Sequence, residues 1–198
     1  LAQTTSSNGK TALLLMDFQN DIVQMIPEPQ RSAVVANAAA LQARAREVGM
    51  PVFYIVVKFR PGYPEVNPRN KGFTALKGAG RLVEGTNGAD IDTRLAPLAS
   101  EPVITKRRVS GFFNTDLDTV LGAHGVDKLV LSGLVTSGVI LSSLRWAADR
   151  DYGLTLAADA CADSDEEVHR VLTEKVFPRQ ASVLATSAVL ALPEFNAG

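Results

Sequence analysis

The sequence predicts an α/β protein, a three-layer α/β/α fold with a parallel sheet of about six strands and helices on both faces. Three observations carry this. Short apolar runs alternate with amphipathic stretches from Thr11 onward, and parallel strands need helical crossovers, so the alternation implies a sheet covered on both sides. A length of 198 residues suits one domain with a large core and is short for two. The hydrophobic share of 46% and charged share of 21% are those of an ordinary globular chain, so no special class needs to be invoked. Residues 1–10 are polar and read as a loose tail; residues 11–198, without repeats or linkers, read as a single domain.

Residues 11–16 form the first apolar run, rich in Leu and closed by Asp17. Residues 29–48 carry Ala33, Ala36, Ala40, Leu41 and Ala45 near helical spacing, and Gly49 stops that helix. Residues 51–57 are β-branched and aromatic, hence a strand. Residues 58–97 differ: they are polar, rich in Gly and Pro, and have few periodic stretches. They read as a long surface excursion, the kind that usually has a functional reason. Periodicity resumes with a strand at 103–105 and a helix over 116–123, with Thr115 as its N-cap. A buried strand at 128–131 precedes a helix over 137–150 with Val139, Ile140, Leu144 and Ala147 on its apolar face. A strand at 154–158, a helix over 165–176, a strand at 183–185 and a short terminal helix complete the pattern.

Charge and composition exclude several roles. A formal net charge of −1, with no basic half, argues against nucleic acid or an anionic membrane as a partner. The apolar runs are too short to cross a bilayer, and no signal-peptide core precedes Thr11. One cysteine, Cys161, precludes an intramolecular disulfide and fits a reducing cytoplasm. With only His124 and His169, and no H-x-x-x-H or C-x-x-C spacing, no metal cofactor is expected. Neither G-x-G-x-x-G nor G-x-x-x-x-G-K occurs, so no nucleotide cofactor is expected either.

In a parallel sheet the site lies at the carboxyl ends of the strands. Asp17 ends the first strand there; it is either a functional carboxylate or a turn residue capping the segment that follows. Lys106 ends the strand at 103–105, although the Lys106-Arg107-Arg108 run also suits a solvated lysine. On one edge the two would form an acid–base pair, with the lysine depressing the aspartate's pKa. Gly133-Leu134-Val135-Thr136-Ser137-Gly138-Val139 joins a strand to a helix. Its backbone N–H groups either hold an anion or simply make a turn capped by Thr136 or Ser137. Asp159 follows a strand and by default caps the next element. Cys161 has no basic neighbour in sequence to activate it and reads as a small packed residue.

Five stretches stand in order along the chain: Ala12-Leu13-Leu14-Leu15-Met16-Asp17-Phe18-Gln19-Asn20-Asp21, Glu84-Gly85-Thr86-Asn87-Gly88-Ala89, Lys106 followed by Phe112 and Thr115, Gly133-Leu134-Val135-Thr136, and Asp151-Tyr152 through Ala162. Together they resemble the isochorismatase-like hydrolases, which include nicotinamidases, N-carbamoylsarcosine amidohydrolase and isochorismatase. The resemblance spans nearly all of residues 11–186, in unbroken order. It implies that Asp17 is the family's catalytic aspartate and Lys106 its lysine. The nucleophilic cysteine of the amidohydrolases would fall on Val139, between Thr136 and Tyr152, which closes the thioester route. The resemblance also implies a cis peptide between Leu134 and Val135. Expected substrate contacts are Phe18, Gln19, Phe112, Leu134, Val135, Thr136 and Gly138. Arg60, Tyr63 and Arg69 are offered as ligands for a carboxylate.

Nicotinamidases place a metal ligand set after the second strand, and residues 58–73 contain no histidine to supply it. Isochorismatases proper hydrolyse a vinyl ether with the aspartate as general acid and water as nucleophile. The resemblance therefore implies an Asp-dependent, cysteine-independent hydrolase that cleaves a vinyl ether or amide-like bond of a small molecule by general acid–base catalysis, alternatively an inactive paralogue that binds a small ligand or a partner through the same cleft. It also implies a homo-oligomer, a dimer or tetramer. A phospho-receiver domain would want its aspartate after another strand, where Phe59 and Arg60 stand.

Overall fold

The computed structural model describes residues 9–196. Its strands are β1 (Lys10–Met16), β2 (Val52–Val57), β3 (Val103–Lys106), β4 (Val126–Leu134), β5 (Gly153–Ala162) and β6 (Ser182–Leu184). They pair in the order β3-β2-β1-β4-β5-β6, parallel at every pairing. The chain winds outward from β1 to β3, returns to the centre, and winds outward again from β4 to β6. The connections leaving β1 and β4 therefore part in opposite directions and open a crevice at their carboxyl ends. Of the tail expected over residues 1–10, residues 1–8 lie outside the described residues, and Lys10 already belongs to β1.

The helices are α1 (Asn20–Val23), α2 (Gln30–Glu47), α3 (Lys71–Gly78), α4 (Leu117–Ala123), α5 (Leu141–Ala148), α6 (Glu166–Val171) and α7 (Thr186–Leu190). Successive strand residues point to opposite faces. Ala12, Leu14 and Met16 join Phe53, Ile55 and Leu131 in one core layer with residues of α4 and α5. Leu13 and Leu15 join Val52, Tyr54 and Val130 in the other, with residues of α2 and α7. A strand covered on both faces is apolar throughout, which is why residues 12–16 read as a continuous run and not as an alternation.

The buried stripe of α2 is Val34, Val35, Ala38, Leu41 and Ala45, whereas Ala33, Ala36 and Ala40 are exposed. The expected stripe was thus placed partly on the wrong face. Alanine tolerates either environment, so the larger residues decide; full burial of Leu41 alone contributes about 1.5–3 kcal/mol. The excursion at 58–97 holds α3 and two short 3-10 turns, Asn87–Ala89 and Thr93–Leu95. The glycines at 72 and 78 hid α3, but Asn70 caps it by accepting from the Phe73 N–H at 3.2 Å.

Helix α4 starts at Leu117 with Asp116 at the N-cap position but no capping bond from its side chain. The Thr115 hydroxyl donates to the Gly111 carbonyl at 2.6 Å and accepts from the Leu117 N–H at 3.4 Å, so it serves the helix start from one residue earlier than expected. Strand β5 runs past its expected end because its register with β4 shifts, from Leu131 opposite Leu156 to Gly133 opposite Cys161. The Ser132 hydroxyl donates to the Ala160 carbonyl at 2.8 Å within that irregularity.

Gly133 of β4 sits opposite Met16 of β1. A Cβ there would lie 2.5 Å from the Met16 carbonyl oxygen and 2.8 Å from the Met16 Cβ. Backbone on the central strand has little room to yield, so Gly133→Ala is expected to lower stability by about 1–3 kcal/mol. Urea unfolding checks this, and a midpoint equal to wild type would contradict so close an approach.

Candidate active site

Three segments meet at the crevice: Asp17 after β1, Lys106 at the end of β3, and the turn that follows β4. Asp17 leaves the sheet with φ 58°, a left-handed conformation that aspartate tolerates better than most residues. Its N–H donates to the Ile55 carbonyl at 2.8 Å, so β2 fixes its backbone. Both ionisable side chains are withdrawn from water, Asp17 at 4% and Lys106 at 2% exposure. Lys106 Nζ lies 2.8 Å from Asp17 Oδ2. Asp17 Oδ1 is buried without a hydrogen-bond partner. Burial pushes the Asp17 carboxyl above its ordinary value, and the Lys106 ammonium opposes this without overcoming it. The depression expected from the lysine alone is therefore reversed in sign by desolvation.

The Leu134–Val135 peptide is cis. From there the segment Thr136–Ile140, kinked at Gly138 where the backbone leaves helical geometry (φ −98°, ψ −105°), leads into α5. Leu134, Val135, Gly138 and Val139 line a cavity of about 500 Å³ together with Asp17 and Lys106. Val139 is buried against the α5 side of the core and also forms part of the cavity wall, where it brings neither nucleophile nor charge. Thr136 and Ser137 serve the turn itself. The Thr136 hydroxyl lies 2.8 Å from His169 Nδ1, and the Ser137 N–H and hydroxyl both donate to Asp163 Oδ2, at 2.8 and 2.7 Å. Ser137 is thereby tied to Asp163 and away from a nucleophile's role.

Other expected contacts lie outside the lining. Gln19 is fully buried and donates to the carbonyls of Val57 and Ala89, while its side-chain oxygen accepts from the Val57 N–H. An amide so occupied ties the end of β2 to the loop at Ala89. Phe18 belongs to the core on the α2 side, and Phe112 packs into the other layer, stacked on Trp146. Arg60 pairs with Glu65 at 2.7 Å, and the Tyr63 hydroxyl donates to the Arg81 carbonyl at 2.8 Å. Arg69 is exposed and also absent from the lining. Sequence reasoning missed Ile22, Phe73, Leu76, Arg81 and Leu82, which do line the cavity. The Asn70 cap before Phe73 and Leu76, an i, i+3 apolar pair, was the available signal.

Asp159 accepts from the N–H and hydroxyl of Thr186, both at 2.6 Å, and so caps α7. Cys161 is buried, and burial raises its thiol to about 12. Iodoacetamide at pH 8 is therefore expected to leave Cys161 unmodified in the folded protein and to label it after unfolding. Rapid labelling of the native protein would refute this.

A family model described as the isochorismatase domain matches residues 11–188. This chain belongs to the isochorismatase family. It is 34% identical to the phenazine biosynthesis protein PhzD of Pseudomonas fluorescens over 192 residues, 96% of this chain and 89% of that protein. It is 32% identical over 165 residues to an Arabidopsis thaliana protein named as a probable inactive nicotinamidase, covering 80% of this chain and 84% of that one. A solved structure of an isochorismatase family protein from Desulfovibrio vulgaris aligns with a TM-score of 0.82 at 30% identity, covering 93% of this chain and 100% of that one. Among the described residues no helix is long and apolar enough to cross a membrane. Nor do three His, Cys, Asp or Glu side chains gather among the described residues so that they could hold a metal ion.

Proposed function

We propose that this isochorismatase-family protein hydrolyses an enol ether bond of a small molecule, with Asp17 as general acid and no covalent intermediate. The observation that carries this is Asp17 itself: a buried carboxyl at the cavity wall, one oxygen held by Lys106 and the other unpartnered. Burial favours its protonated form, the form a general acid needs. Asp17 would transfer its proton to the terminal carbon of the C=C–O unit, giving an oxocarbenium ion that Asp17, now ionised beside Lys106, stabilises. Water adds to the cationic carbon and returns a proton to the carboxylate. The resulting hemiketal breaks its C–O bond to release an alcohol and a carbonyl compound. An amide would need a nucleophile, and Val139 supplies none.

The test is turnover of an enol-ether panel in deuterated water. The reading expects one solvent deuterium on the carbon next to the new carbonyl and no protein adduct by mass spectrometry. Amide hydrolysis without enol-ether turnover, or a covalent adduct, would overturn it. A second reading, a ligand-binding paralogue without turnover, is favoured by Val139 and by the relative named as inactive. Ligand-induced thermal stabilisation with no product would decide for it. The single cysteine supports the cytoplasm as the place of work, and the family resemblance supports a homo-oligomeric state, dimer or tetramer.

A further inference from the structure

We infer that the substrate has an apolar body and one anionic group, and that Arg81 receives that group at the cavity mouth. The inference rests on the hydrolase reading only for the bond cleaved; how the molecule is held follows from the cavity wall.

The floor of the cavity is buried and contains a single cation, Lys106, already engaged by Asp17. Above it the walls are Ile22, Phe73, Leu76, Leu82 and Val135, none of which offers a hydrogen-bonding side chain. The rim is exposed and again largely apolar, with Met25 at 40% and Val109 at 41% exposure. Two other polar side chains reach the lining, Asn70 and Arg81. The Asn70 oxygen is committed to the Phe73 N–H.

Arg81 is the arginine that lines the cavity: of those nearby, Arg60 is held by Glu65 and Arg107 by Glu65 and Glu84, while Arg69 and Arg108 stand outside the lining. Arg81 forms no ion pair with any of the described residues, while its backbone is fastened on both sides. Its N–H donates to the Leu76 carbonyl at 3.1 Å, its carbonyl accepts from Tyr63, and the next N–H, of Leu82, donates to Asp21 Oδ2 at 2.9 Å. A guanidinium with a fixed base and an uncommitted head is suited to bind a carboxylate bidentately. A second carboxylate on the ligand would have to lie against apolar wall, where an unpaired charge is strongly disfavoured. Hydroxyl-rich ligands would find among the remaining lining side chains only one neutral donor, the Asn70 amide nitrogen.

Isothermal titration calorimetry with three non-hydrolysable probes tests this: cyclohexanecarboxylate, cyclohexane-1,2-dicarboxylate and cyclohexylmethanol. The monocarboxylate is expected to bind the wild-type protein about tenfold or more tightly than either of the others. Arg81→Ala should remove most of that advantage and leave cyclohexylmethanol unchanged, and Arg81→Lys should restore part of it. Arg81 is exposed, so these variants put folding at little risk. Three outcomes would overturn the inference: a dicarboxylate that binds as well as the monocarboxylate, an Arg81→Ala variant that does not separate the acid from the alcohol, or no binding of cyclohexanecarboxylate at millimolar concentration. None of the probes reacts, so these affinities stand or fall separately from the enol-ether chemistry.

Discussion

Asp17→Asn is expected to lower kcat/KM on an enol-ether substrate by about 10²–10⁴-fold, the range lost with a positioned general acid. The amide keeps the shape of the carboxyl but has no acidic proton to give. The pH profile carries the same signature. Activity needs protonated Asp17, whose carboxyl burial holds above its ordinary value. The rate is therefore present below that raised pKa and lost as pH rises through it. Lys106→Ala removes the cation that opposes protonation, so the descending limb should move to higher pH. Cys161→Ser should leave the rate unchanged, since the thiol is buried and serves packing. An Asp17→Asn variant with wild-type turnover would remove the mechanism altogether.

The second large effect is on stability. Above the raised pKa of Asp17, where its carboxyl is ionised, Asp17→Leu leaves the Lys106 ammonium buried with no counter-charge, and breaking a buried pair in this way costs about 3–5 kcal/mol. Lys106→Met should cost less, because the remaining carboxyl, already displaced toward its neutral form, simply takes up a proton. The double variant Asp17→Leu/Lys106→Met should then recover most of the loss or exceed wild-type stability, as apolar replacements of buried pairs commonly do. Urea unfolding of all four proteins, with two probes to establish two-state behaviour, measures the coupling. A double variant as unstable as the sum of the singles would mean that the pair is not coupled.

Asp17 and Lys106 were legible in the sequence because each closes an apolar run, and strand ends on one side of a parallel sheet share an edge. The turn after β4 was legible for the same reason, and motif order placed Val139 in it. The walls of the cavity were not. Helix α3 lies in a glycine-rich stretch of 8 residues, too short for periodicity to speak and recognisable only through the Asn70 cap. The polar residues near the first two strand ends misled in a different way. Gln19, Arg60 and Tyr63 look like ligands because polar side chains next to a site usually are, yet each is spent on holding loops together. Nothing in a linear sequence distinguishes an amide that binds substrate from one that satisfies buried backbone. The face of α2 failed on chemistry too, since alanine carries almost no positional information.

The two sides of the cavity have unequal claims on the rest of the molecule. The turn that carries Val135 to Val139 is fastened through Asp163 and His169 to the segment after β5, and any change there is felt in the core. Helix α3 buries only Phe73, edge-on to Phe59 with ring centroids 5.2 Å apart, and is otherwise exposed or half-buried. Mutations in α3 are therefore cheap for folding, whereas those in the turn are not. A library randomised over Ala75, Leu76 and Ala79 is the natural starting point for redirecting this protein to a new substrate.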